Sequence, residues 1–498
     1  MPAGGGIIQM AAVGRQNDHI NRNPSFTLFK TAHNRYTSFA EDFEWNDMNG
    51  VISFGAQKAP STVSRYGDLI TDLHVYFELP GISAPPDGSW NAYTETDEEG
   101  TTVTRYYPKA AYWVNAIGYA LIDEITLEIG SQDIDTLYSD YLFLWEELTQ
   151  RPGARIRESV GRFDWSDTVE SDMVEFSSQP RNLFVQVPFF FNKYFLEKGL
   201  AIPMVALTYH EIKIKISFAQ IADVTCVALQ KGNNENFRDR WELVPDQVPI
   251  HNAKRSPLTS GDLVAKLLVT YIYLDVEERN TFAQSEHEML VTTLQRQQNT
   301  IATEGMTQDS LKLYFNHPSN FLLWVIRPQN WKTNAGRRRY SVGFKDRYDY
   351  TQKVVDETLP FGDVQDPITN ATLKLNSHER WPENMSAAFF RVIQPQLKFE
   401  NTPSAYLYVF CFSIAGGVWN PTSTLNFSRI EHTQLDLKYN NAAVVRGTTI
   451  NNPIPPSDIL IFVESYNLLV VKQGMGGLRF SNFYISEQGT VSGEEMSF

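Results

Sequence analysis

Glu211-Ile212-Lys213-Ile214-Lys215-Ile216-Ser217-Phe218 alternates polar and apolar side chains at every position. Successive side chains of a strand point to opposite faces, so this octet reads as one strand with an apolar side and a wet side. The same period appears at Leu73, Val75, Phe77 and Leu79, with Asp72, His74, Tyr76 and Glu78 opposite, until Pro80-Gly81 stops it. Ile125, Leu127 and Ile129 alternate with Glu124, Thr126 and Glu128, and Gly130 ends that run. A helix is expected next, with Asp135 as its N-cap and Leu137, Tyr141, Leu144, Trp145 and Leu148 as its apolar stripe.

Beyond residue 230 the chain turns polar and rich in Gly, Asn and Pro up to residue 260, and alternation resumes at Leu263. Leu267–Leu274 is apolar on both faces, as a buried strand is. Tyr406, Tyr408, Phe410 and Phe412 form an aromatic ladder, and Leu435, Leu437 and Tyr439 alternate with Asp436, Lys438 and Asn440. Residues 81–108 and 327–385 are long, polar and poor in strand signals, so they read as large loops. Residues 1–25 read as an extended arm with Ile7, Ile8 and Met10 as its anchor cluster. The expected organisation is therefore all-β: arm 1–25, one β-sandwich over 26–258, a second over 259–485, and a tail 486–498, with short helices and long loops.

Composition agrees. A chain of 498 residues exceeds what one core holds, and 31 Phe, 23 Tyr, 29 Gly and 25 Pro favour strands and turns. The net charge of −15 argues against nucleic acid or an anionic membrane surface as a partner. Only Cys226 and Cys411 are present, far apart, so a disulfide framework is not expected and a reducing compartment fits. Met1–Ala12 lacks the basic and apolar regions of a signal peptide, and no apolar run is long enough to span a bilayer.

No catalytic, cofactor or metal residues emerge. The nine histidines include no zinc-helix pair, and Glu286-His287-Glu288 fails as HExxH because position 291 is Val. Gly474-Met475-Gly476-Gly477 lacks the Lys and Ser/Thr of a phosphate loop and reads as a tight turn. Arg337-Arg338-Arg339 is the only basic triplet and reads as a solvated loop or a contact with an acidic neighbour rather than a nucleic-acid site. Adjacent Glu146 and Glu147 point apart on a helix and make no acid–base dyad. Glycosylation triplets start at Asn370, Asn384 and Asn426. Asn370 is expected to be the most accessible, and Asn426 lies in a strand-like segment. A strand-built chain without visible chemistry is read as a structural or binding component rather than an enzyme.

Several segments resemble the major capsid proteins of nucleocytoplasmic large DNA viruses, the phycodnavirus, iridovirus and mimivirus-like group. They include Gly5-Gly6-Ile7-Ile8-Gln9-Met10, Trp113–Gly118, the Leu121–Gly130 strand, and Ala201–Glu211 ending in Tyr209-His210-Glu211. In the second half they are Asp275-Val276-Glu277-Glu278-Arg279 with His287-Glu288, Phe315-Asn316-His317-Pro318, Asn426-Phe427-Ser428, Tyr466-Asn467 and Gly474–Leu478. The resemblance implies a double jelly roll, two consecutive eight-stranded sandwiches, and a homotrimer that serves as a pseudo-hexagonal capsomer of an icosahedral shell. Neighbouring capsomers, minor capsid proteins, an inner membrane layer and a penton protein at the vertices are the implied partners, with no direct nucleic acid and no cofactor. The implied location is the virion, assembled in the host cytoplasm. On this resemblance His210, Glu211, Asp275, Arg279, His287, His317, Pro318, Asn426, Asn467, Gly474 and Gly477 fix the fold rather than bind ligands, and Ile7, Ile8 and Met10 touch inner-face partners. Alternative readings are a same-fold scaffold protein or minor capsid paralogue, and a carbohydrate-binding or carbohydrate-hydrolysing β-sandwich.

Overall fold

The computed structural model describes residues 4–480, apart from 13–21, 25–30, 32, 34, 84–91, 97–101, 107–108, 151–155, 164–174, 195–197, 231–240, 243–257, 260, 330–346, 354–363, 383 and 446–447. The Arg337-Arg338-Arg339 triplet, most of the polar stretch before residue 260, and the tail 486–498 lie outside the described residues. Contacts divide the chain into two compact units, Met1–Phe39 and Ala40–Phe498. The first contains helix α1 (Gly4–Ala11), which exposes Ile7, Ile8 and Met10.

In the second unit the chain runs through β1 (Phe39–Asp47), β2 (Ala59–Thr62), β3 (Leu69–Leu79), β4 (Ile122–Ile129) and β5 (Gln132–Tyr138). Helix α2 (Ser139–Thr149) follows, then β6 (Arg181–Gln186), β7 (Ile212–Phe218) and β8 (Val264–Leu274). These strands form two sheets, ordered β1-β8-β3-β6 and β2-β7-β4-β5. The pairings within them are antiparallel wherever register is defined, as between β8 and β3 and between β7 and β4. Leu73, Val75 and Phe77 of β3 face Ile125, Leu127, Ile214 and Ile216 of the other sheet across one core, so the alternation read in sequence sets which face is buried.

Helix α3 (Val276–Gln284) leads to the second half: β9 (His287–Ile301), β10 (Gln308–Lys312), β11 (Pro318–Pro328), β12 (Ile368–Leu375), β13 (His378–Glu379), β14 (Tyr408–Cys411), β15 (Thr433–Tyr439), β16 (Ser457–Lys472) and β17 (Met475–Leu478). The sheet orders are β9-β16-β11-β14 and β10-β15-β12-β13, with β17 added beside β16. Shifted by eight strands, these are the orders of the first half. The repeat invisible in residue identity is thus complete in topology, and the fold is a double jelly roll.

The two sandwiches differ in how one sheet is covered. In β11, Leu322, Trp324 and Ile326 enter the core of the second sandwich, while Phe321, Leu323 and Val325 join the cluster built by the first. In β16, Ile459, Ile461 and Val463 face one way, and Leu460 and Phe462 the other. A sheet covered on both sides needs near-continuous apolar strands, which explains the run Phe321-Leu322-Leu323-Trp324-Val325-Ile326.

Four expectations need correction. The strand expected to open the second sandwich, β8, pairs with β3 along most of its length, so its hydrogen bonds place it in the first sandwich and the break falls after Leu274. Asp135 lies inside β5 rather than capping a helix, and α2 starts four residues later. The arm is not wholly extended, because Gly4–Ala11 is helical. The two presumed loops carry strands: a hairpin of Ala92–Thr96 with Thr102–Tyr106, and β12.

Candidate functional site

The feature that sets this molecule apart is the junction between its sandwiches. Helix α2 is buried on nearly every side, with Tyr141, Leu142, Phe143, Leu144, Trp145 and Leu148 buried along with the charged Asp140, Glu146 and Glu147. Such a helix must be covered on every side. One side packs on the first sandwich. The other meets the outer face of the β9-β16-β11-β14 sheet, where Trp145 stacks on Phe321 at 6.3 Å and Tyr141 meets Phe462 at 5.9 Å.

Polar groups in this junction are paired across it. Glu464 of β16, 1% exposed, accepts from Lys193, from the Tyr141 hydroxyl at 3.3 Å and from the Asn320 amide at 3.1 Å. The Lys193 ammonium also lies 4.1 Å from the Trp145 ring centroid. Asp140 of α2 accepts from Arg327 at 2.8 Å and from the Tyr350 hydroxyl at 2.9 Å. Burial would raise the Asp140 carboxyl, but the Arg327 and Arg347 guanidiniums outweigh it and hold it below the usual carboxylate range. Glu147 behaves alike: burial is outweighed by Arg162, and its Oε2 accepts from the Ser404 and Ala405 amides at 2.8 and 3.1 Å. For Asp135 burial wins over the Lys193 ammonium and the amides that favour its charged form. Its Oδ1 accepts the Leu294 amide of β9 at 2.9 Å, and burial pushes its carboxyl up to about 7. Breaking one partner of a buried pair strands the other, so these contacts hold the sandwiches in one fixed relation.

The sequence motifs converge on the same boundary. The His210 ring lies 2.9 Å from the Gly476 carbonyl and 3.1 Å from its amide, and the Tyr209 amide donates to the Gly474 carbonyl at 2.9 Å. Glu211 contributes its backbone carbonyl, which accepts from Gly130 at 3.0 Å. Gly130 has φ +56°, and a Cβ there would lie 2.1 Å from His210 Nδ1, so only glycine fits. Gly474 turns the chain between β16 and β17 at φ +80°, and a Cβ on Gly477 would meet Gln132 Oε1 at 2.6 Å. Residues from the two halves of the chain thus interlock at the seam.

The remaining motif residues hold turns and connections. Asp275 accepts the Val276 amide at the start of α3, and Arg279 of that helix pairs with the buried Asp68 at 2.9 Å. The His287 ring contacts the Phe282 carbonyl at 2.7 Å, closing α3 onto β9. His317, at φ +67°, donates its amide to the Ser428 hydroxyl at 2.8 Å, and the next residue, Pro318, pairs with Asn426. Asn426 accepts the Ser428 amide at 3.1 Å, and Asn467 donates to the Phe480 carbonyl at 2.8 Å. Asn370 is half-buried and donates to the Asn384 carbonyl at 2.6 Å, whereas Asn384 is exposed, so Asn384 is the more accessible acceptor, contrary to expectation. The Cys411 thiol is buried and pushed up to about 12. Among the described residues no group of three or more His, Cys, Asp or Glu is arranged to hold a metal ion. The seam residues Lys193, Glu464, Asp140 and Arg327 were not anticipated, since only their apolar neighbours show a pattern in sequence.

Two family models cover most of the chain. Major capsid protein N-terminus matches residues 27–275, and Large eukaryotic DNA virus major capsid protein matches residues 278–477. The chain belongs to the major capsid proteins of large eukaryotic DNA viruses. The models meet at α3, where the hydrogen bonding also divides the sandwiches. This capsid protein is 28% identical to the major capsid protein of Paramecium bursaria Chlorella virus 1 over 96% of its own length and 100% of that protein. It is 29% identical to the major capsid protein of Pyramimonas orientalis virus, with the same coverage of both chains. In structure it is similar to a chain of the Paramecium bursaria Chlorella virus 1 capsid, at a TM-score of 0.66 and 24% identity, covering 92% of this chain and 100% of that one. It is also similar to the Faustovirus major capsid protein, at a TM-score of 0.59 and 14% identity over 90% and 93%. It is a structural protein, and the hydrolase reading falls with its family.

Proposed function

We propose that this capsid protein works as a threefold building block: three copies close into a capsomer whose six similar sandwiches give it a near-hexagonal outline. One observation carries this reading, the recurrence of a single strand order in both halves of the chain. Two like modules per copy let a threefold ring present six similar sides, and head-to-tail contacts close when the rotation between copies fits. Contacts within such a permanent assembly bury about 2,000–5,000 Å². Contacts between neighbouring capsomers are weaker and act together.

In this reading the 81–108 segment crowns the outer surface; the 327–385 segment does not do so as a whole, because Arg327 and Tyr350 meet Asp140 in the buried junction and β12 lies in a sandwich sheet. Residues 1–25 run beneath the shell, where exposed Ile7, Ile8 and Met10 meet minor capsid proteins or an inner membrane layer. A separate penton protein fills the vertices. The net charge of −15 fits a shell that does not itself bind the genome. Assembly takes place in the host cytoplasm, and the product is the virion. The motif residues from His210 to Gly477 serve as fold-fixing turns.

Light scattering of the purified chain tests the reading. A particle of three times 56.8 kDa is expected, and a 56.8-kDa monomer at every concentration overturns it.

A further inference from the structure

The outer face of the β9-β16-β11-β14 sheet is covered by α2 of the preceding sandwich. Among the described residues no helix covers its counterpart in the first sandwich, the outer face of β1-β8-β3-β6. Trp45 and Phe184 flank Tyr76 there, each ring 5.0 Å from it, and Phe43 extends the patch along β1. Phe43, Trp45 and Phe184 are 62%, 46% and 38% exposed, and Lys266 pairs with Asp47 at the rim. Aromatic rings clustered on a sheet face mark an interface.

The matching cover lies in the second sandwich. Helix α2 lies between the fifth and sixth strands of the first sandwich. Between the fifth and sixth strands of the second, β13 and β14, stands the helical segment Phe389–Ile393 continuing into Gln394–Lys398. It buries Phe390 in its own sandwich and exposes Ile393, Gln396 and Leu397, spaced as one helix face, with Leu397 67% exposed. Each chain therefore carries one satisfied helix-on-sheet junction, plus an uncovered sheet and an uncovered helix of corresponding type.

We propose that the Trp45–Tyr76–Phe184 face of one copy receives the Ile393–Leu397 helix face of a second copy, repeating between chains the junction already made within the chain. This rests on the threefold reading above and names the surfaces that would build it. The contact is head to tail, so every copy uses both surfaces once and the ring closes without a free end.

Two charged double variants test it, one carrying W45E and F184E and the other I393E and L397E. Each alone is expected to run at 56.8 kDa in light scattering, with an unchanged far-ultraviolet spectrum and a melting temperature lowered by loss of the stabilising association. Mixed in equal amounts they are expected to give a particle of twice that mass, since the intact helix of the first fits the intact sheet of the second. If either variant alone keeps the wild-type oligomer, these surfaces are wrong while the threefold reading stands. If the wild type is itself a monomer, both fall. Disulfide trapping avoids added charge and any loss of folding it causes. F184C chains mixed with L397C chains and oxidised are expected to form heterodimers above the wild-type background, and homodimers of either variant overturn the head-to-tail geometry.

Discussion

Substituting Gly130→Ala probes the seam at a point where two costs separate. The backbone there sits at φ +56°, and the left-handed region costs an L-residue about 1–2 kcal/mol. The added methyl would also stand 2.1 Å from His210 Nδ1, inside any contact distance, so the ring must leave its place against Gly476. Losing that hydrogen bond adds about 1 kcal/mol. The expected total is about 2–3 kcal/mol. In a His210→Ala background the ring is absent, so only the backbone cost should remain, about 1–2 kcal/mol. Urea unfolding at equal protomer concentration, fitted for midpoint and slope, measures both differences. A coupling of about 1 kcal/mol between the sites supports the reasoning. A Gly130→Ala cost below about 0.5 kcal/mol would refute the backbone argument, since an ordinary surface change is that small. An equal cost in both backgrounds would refute the role given to His210.

Arg327→Met leaves Asp140 buried without its closest cation and should destabilise the chain by about 3–5 kcal/mol in the same assay. Because the Asp140 pKa is depressed in the folded state, its contribution is present above the unfolded carboxylate range and lost as the pH falls through the lower folded value. Melting temperature against pH should therefore drop on acidification in the wild type, and the drop should shrink in Asp140→Asn. Asp135 has the opposite sign: its folded pKa is raised to about 7, so the stability it contributes is lost as the pH rises from the unfolded value near 4 through 7. Asp135→Asn keeps an acceptor for the Leu294 amide and should remove that slope, whereas an unchanged profile would show that Asp135 does not titrate there. If the chain is glycosylated on Asn384, Asn384→Gln should lower the mass of protein from infected cells by one glycan, while Asn370→Gln leaves it unchanged.

Legibility in sequence followed the alternation. β7 and the central stretches of β3 and β4 (Leu73–Leu79 and Ile125–Ile129) keep a period of two, and their buried faces could be read directly. β12 was hidden because a register shift between Ile368 and Asn370 breaks the period inside a polar stretch. The assignment of β8 went astray for a different reason. Its composition marks a buried strand correctly, but only pairing reveals which sheet holds it, and β3 lies nearly 200 residues earlier. The seam was the least legible part. His210 and Gly476 are separated by 266 residues, and nothing local in either segment names the other. The charges of the junction look like ordinary surface charges until the fold buries them.

Helix α2 also sets a problem of timing. Tyr141 is made 323 residues before Glu464, its partner on β16. At about 5–20 residues per second, a ribosome needs roughly 16–65 s to cover that interval. For that time the nascent first half holds a greasy helix with no lid, long enough to stick to another nascent chain. Shielding this segment during translation would therefore raise the share of chains that reach the folded state.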